Sequence, residues 1–353
     1  MAGKKTKYFN INPDNPDQGA LAEAGRILRG GGLVAFPTET VYGLGANALD
    51  SGAVEGIFSA KGRPADNPLI VHVYDPAQVY DLSDDVTVPA RRLMEVFWPG
   101  PLTVVLPKSP VVPREVTAGL DTVAIRMPAH PVALAFMKAA GVPVAAPSAN
   151  RSGRPSPTTA RHVLDDLDGR IDAVIDGGPC RVGLESTVLD LAAEPPVILR
   201  PGGISREDIE GVLGRVEVDP ALITGGPGFI PRSPGMKYTH YSPRAQVITV
   251  TGDNHTRIFE KAVRLISDNR AAGRKVGVLA SGETAGAYNA DRVFTVGSRA
   301  DLNAVARSLF YGLRFLDEQK VDVIIAEGYP ETGIGAAIMN RLRKASGNNV
   351  IYV

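Results

Sequence analysis

Two segments of this chain concentrate groups that hold phosphate. Lys61-Gly-Arg63-Pro-Ala-Asp-Asn67-Pro-Leu69 offers an ammonium, a guanidinium and an amide. Ala146-Pro-Ser148-Ala-Asn150-Arg151-Ser-Gly-Arg154-Pro-Ser156 adds hydroxyls, a second amide and two further guanidiniums. Cations neutralise phosphate oxygens, and Ser and Asn supply short donors beside them. The chain has no G-x-x-x-x-G-K-[ST], so no single loop cradles the ligand. Each segment alone also reads as a charged surface loop. They lie far apart in sequence, so joint action requires a fold that brings them together.

Other polar residues sit where apolar ones are expected. Thr38, Glu39 and Thr40 follow a strand end behind Pro37, where they either face a ligand crevice or cap the next segment. Arg126 lies inside the apolar run VAIRM, and Arg200 ends VILR. A buried arginine needs a carboxylate or phosphate partner, either from the protein or from a ligand. His72 alternates with apolar residues in LIVHV and has no second ligand at metal spacing, so it reads as a core or interface histidine. Ser186 and Thr187 begin a strand after a glycine turn. No Ser-His-Asp or Cys-His signature stands out, which points to a site that binds and orients polar ligands without a protein nucleophile.

These residues need elements to position them. Helices are expected over 17–30, 51–60, 88–97, 131–140 and 157–167, and strands at 33–36, 69–73, 102–106, 123–127, 142–146 and 186–191. Several strand-to-strand connections are too short for crossovers, so a twisted mixed parallel/antiparallel α/β sheet is expected. Gly43-Leu-Gly45-Ala-Asn-Ala48 matches a dinucleotide fingerprint, but six residues separate it from the preceding strand, where the fingerprint needs a tight turn. Residues 214–244 are rich in Gly and Pro and read as a linker. A second pattern follows, with strands 246–250, 276–280 and 321–327, a helix ending near Gly273, a capping-box start at Ser298 and Asp301, and a helix over 335–346. It predicts a small Rossmann-like parallel α/β domain.

Composition narrows the class. The 353-residue length favours two domains. Lys+Arg and Asp+Glu are both 38, which argues against tight sequence-independent nucleic-acid binding. A single cysteine, Cys180, excludes an intrachain disulfide and fits a reducing compartment. No apolar run reaches the length of a membrane span, and no secretory signal is seen, so a cytoplasmic location is expected.

Taken in order, FPTETVYGLG (36–45), KGRPADNPLIVHV (61–73), WPGPLTVVL (98–106), VAIRMP (123–128), APSANRSGRPSPT (146–158), ESTVLDL (185–191) and ILRPGGIS (198–205) resemble the YrdC-like domain of the threonylcarbamoyl-AMP synthase family. SPGMKYTHYSP (233–243) and the α/β pattern behind it look like the family's long, two-domain form. The resemblance implies a catalytic domain over 1–213, a linker or lid over 214–244 and a C-terminal domain over 245–353.

It also implies a reaction: L-threonine, bicarbonate and ATP give threonylcarbamoyl-AMP and pyrophosphate, for modification of tRNA. Carried over position by position, Lys61 and Arg63 take the catalytic role and grip ATP with Asn67, Thr122, Ser148, Asn150, Ser156 and Arg200. His240 and Tyr241 cover the nucleotide. Thr38, Thr40, His72, Arg126, Ala146 and Ser186 form the threonine pocket, with Arg126 on the carboxylate. Mg²⁺ is expected on the ATP phosphates, with no protein metal cage. Implied partners are the downstream tRNA-modification proteins, with at most weak direct tRNA contact and no membrane. The rival readings are a non-catalytic RNA-binding or ribosome-assembly factor on the same fold, a hydrogenase-maturation carbamoyltransferase, which would carry zinc-finger-like cysteines, and a dehydrogenase suggested by the glycine fingerprint.

Overall fold

The structure is a computed structural model and describes residues 5–220, 222, 232 and 241–353. Contacts divide the chain into two units. The first holds Met1–Ser152, Ser156–Arg181 and Glu185–Lys237. The second holds Gly153–Pro155, Val182–Leu184 and Tyr238–Val353. The boundary therefore follows contacts, and two short pieces from within 1–213 group with the C-terminal residues.

Among the described residues of the first unit, eleven strands form one sheet. They are β1 (Lys7–Asn10), β2 (Val34–Phe36), β3 (Gly43–Asn47), β4 (Ile70–His72), β5 (Leu102–Pro107), β6 (Thr122–Arg126), β7 (Val144–Ala146), β8 (Ala173–Asp176), β9 (Thr187–Asp190), β10 (Val197–Arg200) and β11 (Glu217–Val218). Their order is β1-β8-β2-β3-β7-β4-β6-β5-β9-β10-β11. The sheet is mixed: β4 pairs parallel with β6, but antiparallel with β7. Parallel neighbours need a long crossover, and the six residues between β2 and β3 permit only the antiparallel pairing observed. β11 falls within the stretch read from sequence as linker and pairs parallel with β10.

Gly43 and Gly45 lie inside β3, not in a strand-to-helix turn, which removes the dinucleotide reading. Their role is steric. A Cβ on Gly45 would lie 2.8 Å from Val144 Cγ1 and 3.1 Å from the Phe36 ring. Only glycine lets β3 pass between these side chains.

Helices lie against the sheet. Gln18–Arg29 starts at Asp17, whose carboxylate accepts from the Gly19 and Ala20 N–H groups, and buries Leu21, Ala24 and Leu28. Helix Pro131–Ala140 packs with it, and Val132, Phe136 and Met137 join Leu21, Leu28 and Phe36 in one core. The helix expected over 157–167 begins only at Ala160. The Pro157 carbonyl is taken by the Tyr42 N–H and that of Thr158 by Cys180, while Thr159 caps the helix.

The second unit has five parallel strands among its described residues: β12 (Gln246–Thr251), β13 (Val276–Ser281), β14 (Arg292–Gly297), β15 (Val323–Glu327) and β16 (Val350–Tyr352). Their order, β14-β13-β15-β12-β16, makes a small all-parallel α/β sheet in which β15 lies between β13 and β12. Helices His255–Ala271, Leu302–Glu318 and Ile334–Ala345 connect them. Asp301 alone caps the second helix, because Ser298 Oγ is turned to Glu283. Glu327, buried at the end of β15, accepts from Ser281 N at 3.1 Å, Tyr288 Oη at 2.6 Å and the Thr284 hydroxyl. Burial pushes its carboxyl up, but these bonds outweigh burial and hold it below the usual range. Among the described residues, no helix is long and apolar enough to cross a membrane.

Candidate active site

Lys61 joins the two phosphate-type segments. It is the last residue of helix Ser51–Lys61, which Asp50 caps and Gly62 ends at φ 62°. Its side chain is buried. Nζ donates to the carbonyl of Ser148 and, at 2.5 Å, to that of Asn150. The second segment is pinned from the other side by a bridge between Gly43 and Ser148 and by Ala149 N–H donating to Tyr42 O at 2.8 Å. Ser148 Oγ donates to Asn150 Oδ1 at 2.6 Å, and Asn150 Nδ2 donates to Arg151 O at 2.8 Å.

Arg63 closes its own loop, with Nη2 donating to the carbonyls of Asn67 at 2.9 Å and Pro68 at 3.2 Å. Asn67 is fully buried, and among the described residues neither its Oδ1 nor its Nδ2 has a hydrogen-bond partner. An unpaired buried amide group costs roughly 1–3 kcal/mol. Such a cost is retained where a ligand supplies the missing partner. Ammonium, guanidinium and amide groups suit a polyphosphate here better than a bare metal ion.

A second constellation surrounds Arg126 at the end of β6. Nη2 lies 2.6 Å from Glu39 Oε1, Nη1 donates to Thr40 Oγ1 at 2.8 Å, and Nε donates to Gly100 O at 3.2 Å. Thr38 and Thr40 hydroxyls are 2.8 Å apart, and Thr38 Oγ1 donates to Val41 O at 2.7 Å. Thr38 thus accepts from Thr40, and Thr40 accepts from Arg126. His72 stands opposite Arg126 in the β4–β6 register, with Val144 of β7 on its other side. Burial, with Arg126 adding to it, depresses the His72 pKa to about 3, so the imidazole is neutral at physiological pH. Its Nδ1 is 3.2 Å from Ile70 O.

The third group lies on β5, β9 and β10. Ser186 Oγ is 2.8 Å from Thr103 Oγ1 and accepts from Arg200 Nη2 at 3.1 Å. Arg200 Nε also donates to Ser186 O at 3.1 Å. Gly202 presses on this backbone, and a Cβ there would lie 2.2 Å from Thr187 N and 2.3 Å from Ser186 C. Ser156 is buried and donates to Glu185 Oε1 at 2.6 Å. Ala146 ends β7 opposite Ile70, and Thr122 begins β6 opposite Pro107.

Tyr241 belongs to the second unit, where its ring packs 5.1 Å from Phe310 and the Arg341 guanidinium sits over it. His240 lies outside the described residues. Arg154 also groups with the second unit, 3.9 Å from Asp317.

Sequence reasoning assigned no role to Thr103 or Glu185, and left Glu39 between facing a ligand crevice and capping the next segment. Glu39 carried a signal, lying between two hydroxyl residues after a strand end. Thr103 and Glu185 gave none, because their partners are distant in the chain.

Comparison with known proteins follows the same division. A family model described as "Telomere recombination" matches residues 26–202, and one described as "Threonylcarbamoyl-AMP synthase, C-terminal domain" matches 204–347. A Bacillus subtilis threonylcarbamoyl-AMP synthase is 54% identical over 94% of both chains. The chain belongs to the threonylcarbamoyl-AMP synthase family. The synthase of Pyrococcus abyssi is 53% identical over 94% of this chain and 95% of its own. The crystal structure of P. abyssi Sua5 complexed with L-threonine matches 99% of this chain and 100% of its own, with a TM-score of 0.94 and 51% identity. Escherichia coli YciO matches 56% of this chain and 96% of its own at 30% identity and a TM-score of 0.51. Membership in the threonylcarbamoyl-AMP synthase family makes this protein an enzyme.

Proposed function

We propose that this chain is a nucleotidyltransferase that converts L-threonine, bicarbonate and ATP into threonylcarbamoyl-AMP and pyrophosphate. The observation that carries this reading is the Lys61 clasp on Ser148 and Asn150, built on the same sheet as the Arg126 pocket. A relative solved with L-threonine and a synthase named for its adenylate product support it.

The chemistry suits these side chains. The threonine amine attacks the bicarbonate carbon, and water leaves to give a carbamate. A carbamate oxygen then attacks the α-phosphorus, and pyrophosphate departs. No protein nucleophile is needed, only proximity and neutralisation of a growing polyanion. Lys61 and Arg63 neutralise the phosphates, with Asn67, Ser148, Asn150 and Ser156 donating beside them and Thr122 and Arg200 facing the nucleotide. Arg126 pairs with the threonine carboxylate. Thr38, Thr40, neutral His72, the Ala146 backbone and Ser186 complete that pocket. Mg²⁺ accompanies the ATP phosphates and offsets their charge.

His240 and Tyr241 form a lid that excludes water from hydrolysable intermediates. The adenylate passes to tRNA-modifying proteins in the cytoplasm.

The test is pyrophosphate release by purified protein, with threonine and bicarbonate each present or omitted. Release requiring both, with the adenylate seen by mass spectrometry, is expected. Release with neither, or RNA binding without any release, overturns the reading.

A further inference from the structure

We propose that Glu39 is a positioning residue: it fixes the Arg126 guanidinium so that its remaining donors meet the substrate carboxylate. The inference rests on the assignment of Arg126 under Proposed function and goes beyond it.

Arg126 donates from Nε to Gly100 O and from Nη1 to Thr40 Oγ1, while Nη2 lies in ion-pair contact with Glu39 Oε1 without hydrogen-bond geometry. One N–H remains on Nη1, and Nη2 makes no hydrogen bond among the described residues, enough for a two-point grip on a carboxylate. Glu39 is the single charged anchor among the three, and its 2.6 Å contact is the shortest. Attraction between two buried opposite charges is only weakly screened, so Glu39 holds the Nη2 end of the guanidinium in place. Thr40 is an uncharged anchor and itself belongs to the proposed pocket. The charged tether stands outside that exchange.

Glu39 is itself fixed. Thr38 Oγ1 accepts from the backbone N–H groups of Thr40 at 3.1 Å and Val41 at 3.2 Å, locking the turn in which Glu39 sits. The Glu39 carboxylate is buried, and among the described residues neither of its oxygens has a hydrogen-bond partner. It therefore acts on substrate through Arg126. Burying an ion pair costs several kcal/mol per ion, and apolar residues of similar volume are often as stable. The pair is poorly explained by stability, and orientation of Arg126 explains it.

The experiment compares threonine with threoninamide, which lacks the carboxylate charge, in wild type and Glu39→Gln. Wild type should strongly prefer threonine. Glu39→Gln should raise threonine KM about tenfold and leave ATP KM within about twofold. Its preference for threonine over threoninamide should fall by a similar factor. Glu39→Asp, which keeps the charge but is one methylene too short, serves if the first variant fails to fold, and should show the same loss. An unchanged preference in either folded variant overturns the inference, because a purely structural role alters melting and not substrate choice. Tighter threonine binding by Glu39→Gln also overturns it, since Glu39 would then only offset charge. A wild type that does not distinguish threonine from threoninamide sinks the Arg126 assignment, and this inference with it.

Discussion

Arg126 Nη2 lies 2.6 Å from Glu39 Oε1, with both side chains almost wholly removed from solvent. This ion-pair contact joins the turn after β2 to the end of β6, elements far apart in the chain. Removing one partner leaves the other as an uncompensated buried charge. Glu39→Ala should therefore destabilise by about 3–5 kcal/mol. Combining Glu39→Leu with Arg126→Met should restore most of that stability while activity stays lost. Urea unfolding monitored by circular dichroism, alongside turnover, checks both halves.

Arg63 and Lys61 should separate in their effects. Arg63→Ala removes a guanidinium from the phosphate loop and should raise ATP KM about tenfold or more, with threonine KM unchanged. Lys61→Met also releases the Ser148 and Asn150 carbonyls, so it should lower both turnover and melting temperature. Normal ATP affinity in Arg63→Ala would remove the phosphate-grip assignment.

Gly202 should tolerate no side chain. Its missing Cβ would meet backbone atoms of Ser186 and Thr187 at 2.2–2.3 Å, and backbone cannot swing aside. Gly202→Ala should displace the Ser186–Arg200 contact, costing about 1–3 kcal/mol of stability and raising threonine KM. An alanine variant with wild-type melting and KM would contradict this geometry.

His72 should contribute to acid lability. Its pKa falls from 6.5 in the unfolded chain to about 3 in the fold. The unfolded chain therefore binds the proton first as pH falls. The stabilisation is full above about pH 6.5 and is lost progressively toward pH 3, on the order of 3 kcal/mol by pH 4. Unfolding free energies of wild type and His72→Gln across this range should converge as pH falls. Parallel curves would show that His72 is not buried neutral.

Much of the fold was legible because apolar periodicity marks buried strands and helix faces locally. The central strands carrying His72, Arg126 and Ser186 were visible this way, as was the parallel pattern of the second unit. β1, β8 and β11 were not read, nor the edge strands β14 and β16. β14 and β16 are mostly half-buried without a clear alternation, and β11 spans two residues within a Gly/Pro-rich stretch. The glycines of β3 misled in the other direction. They match a phosphate-loop spacing, yet they are there because Phe36 and Val144 leave no room for a Cβ.

The sequence by itself determined which residue types were available: the cations of the Lys61 and Ser148 segments, a guanidinium in an apolar strand, and the absence of a nucleophile. It also carried the motif order that places the chain in its family. Only the tertiary structure decided who meets whom. The Lys61 ammonium spends its bonds on the carbonyls of Ser148 and Asn150, Arg126 finds Glu39, and Ser186 finds Thr103 and Arg200. Periodicity reports which face of an element is buried, whereas these partners depend on strand order and register, which non-local packing sets.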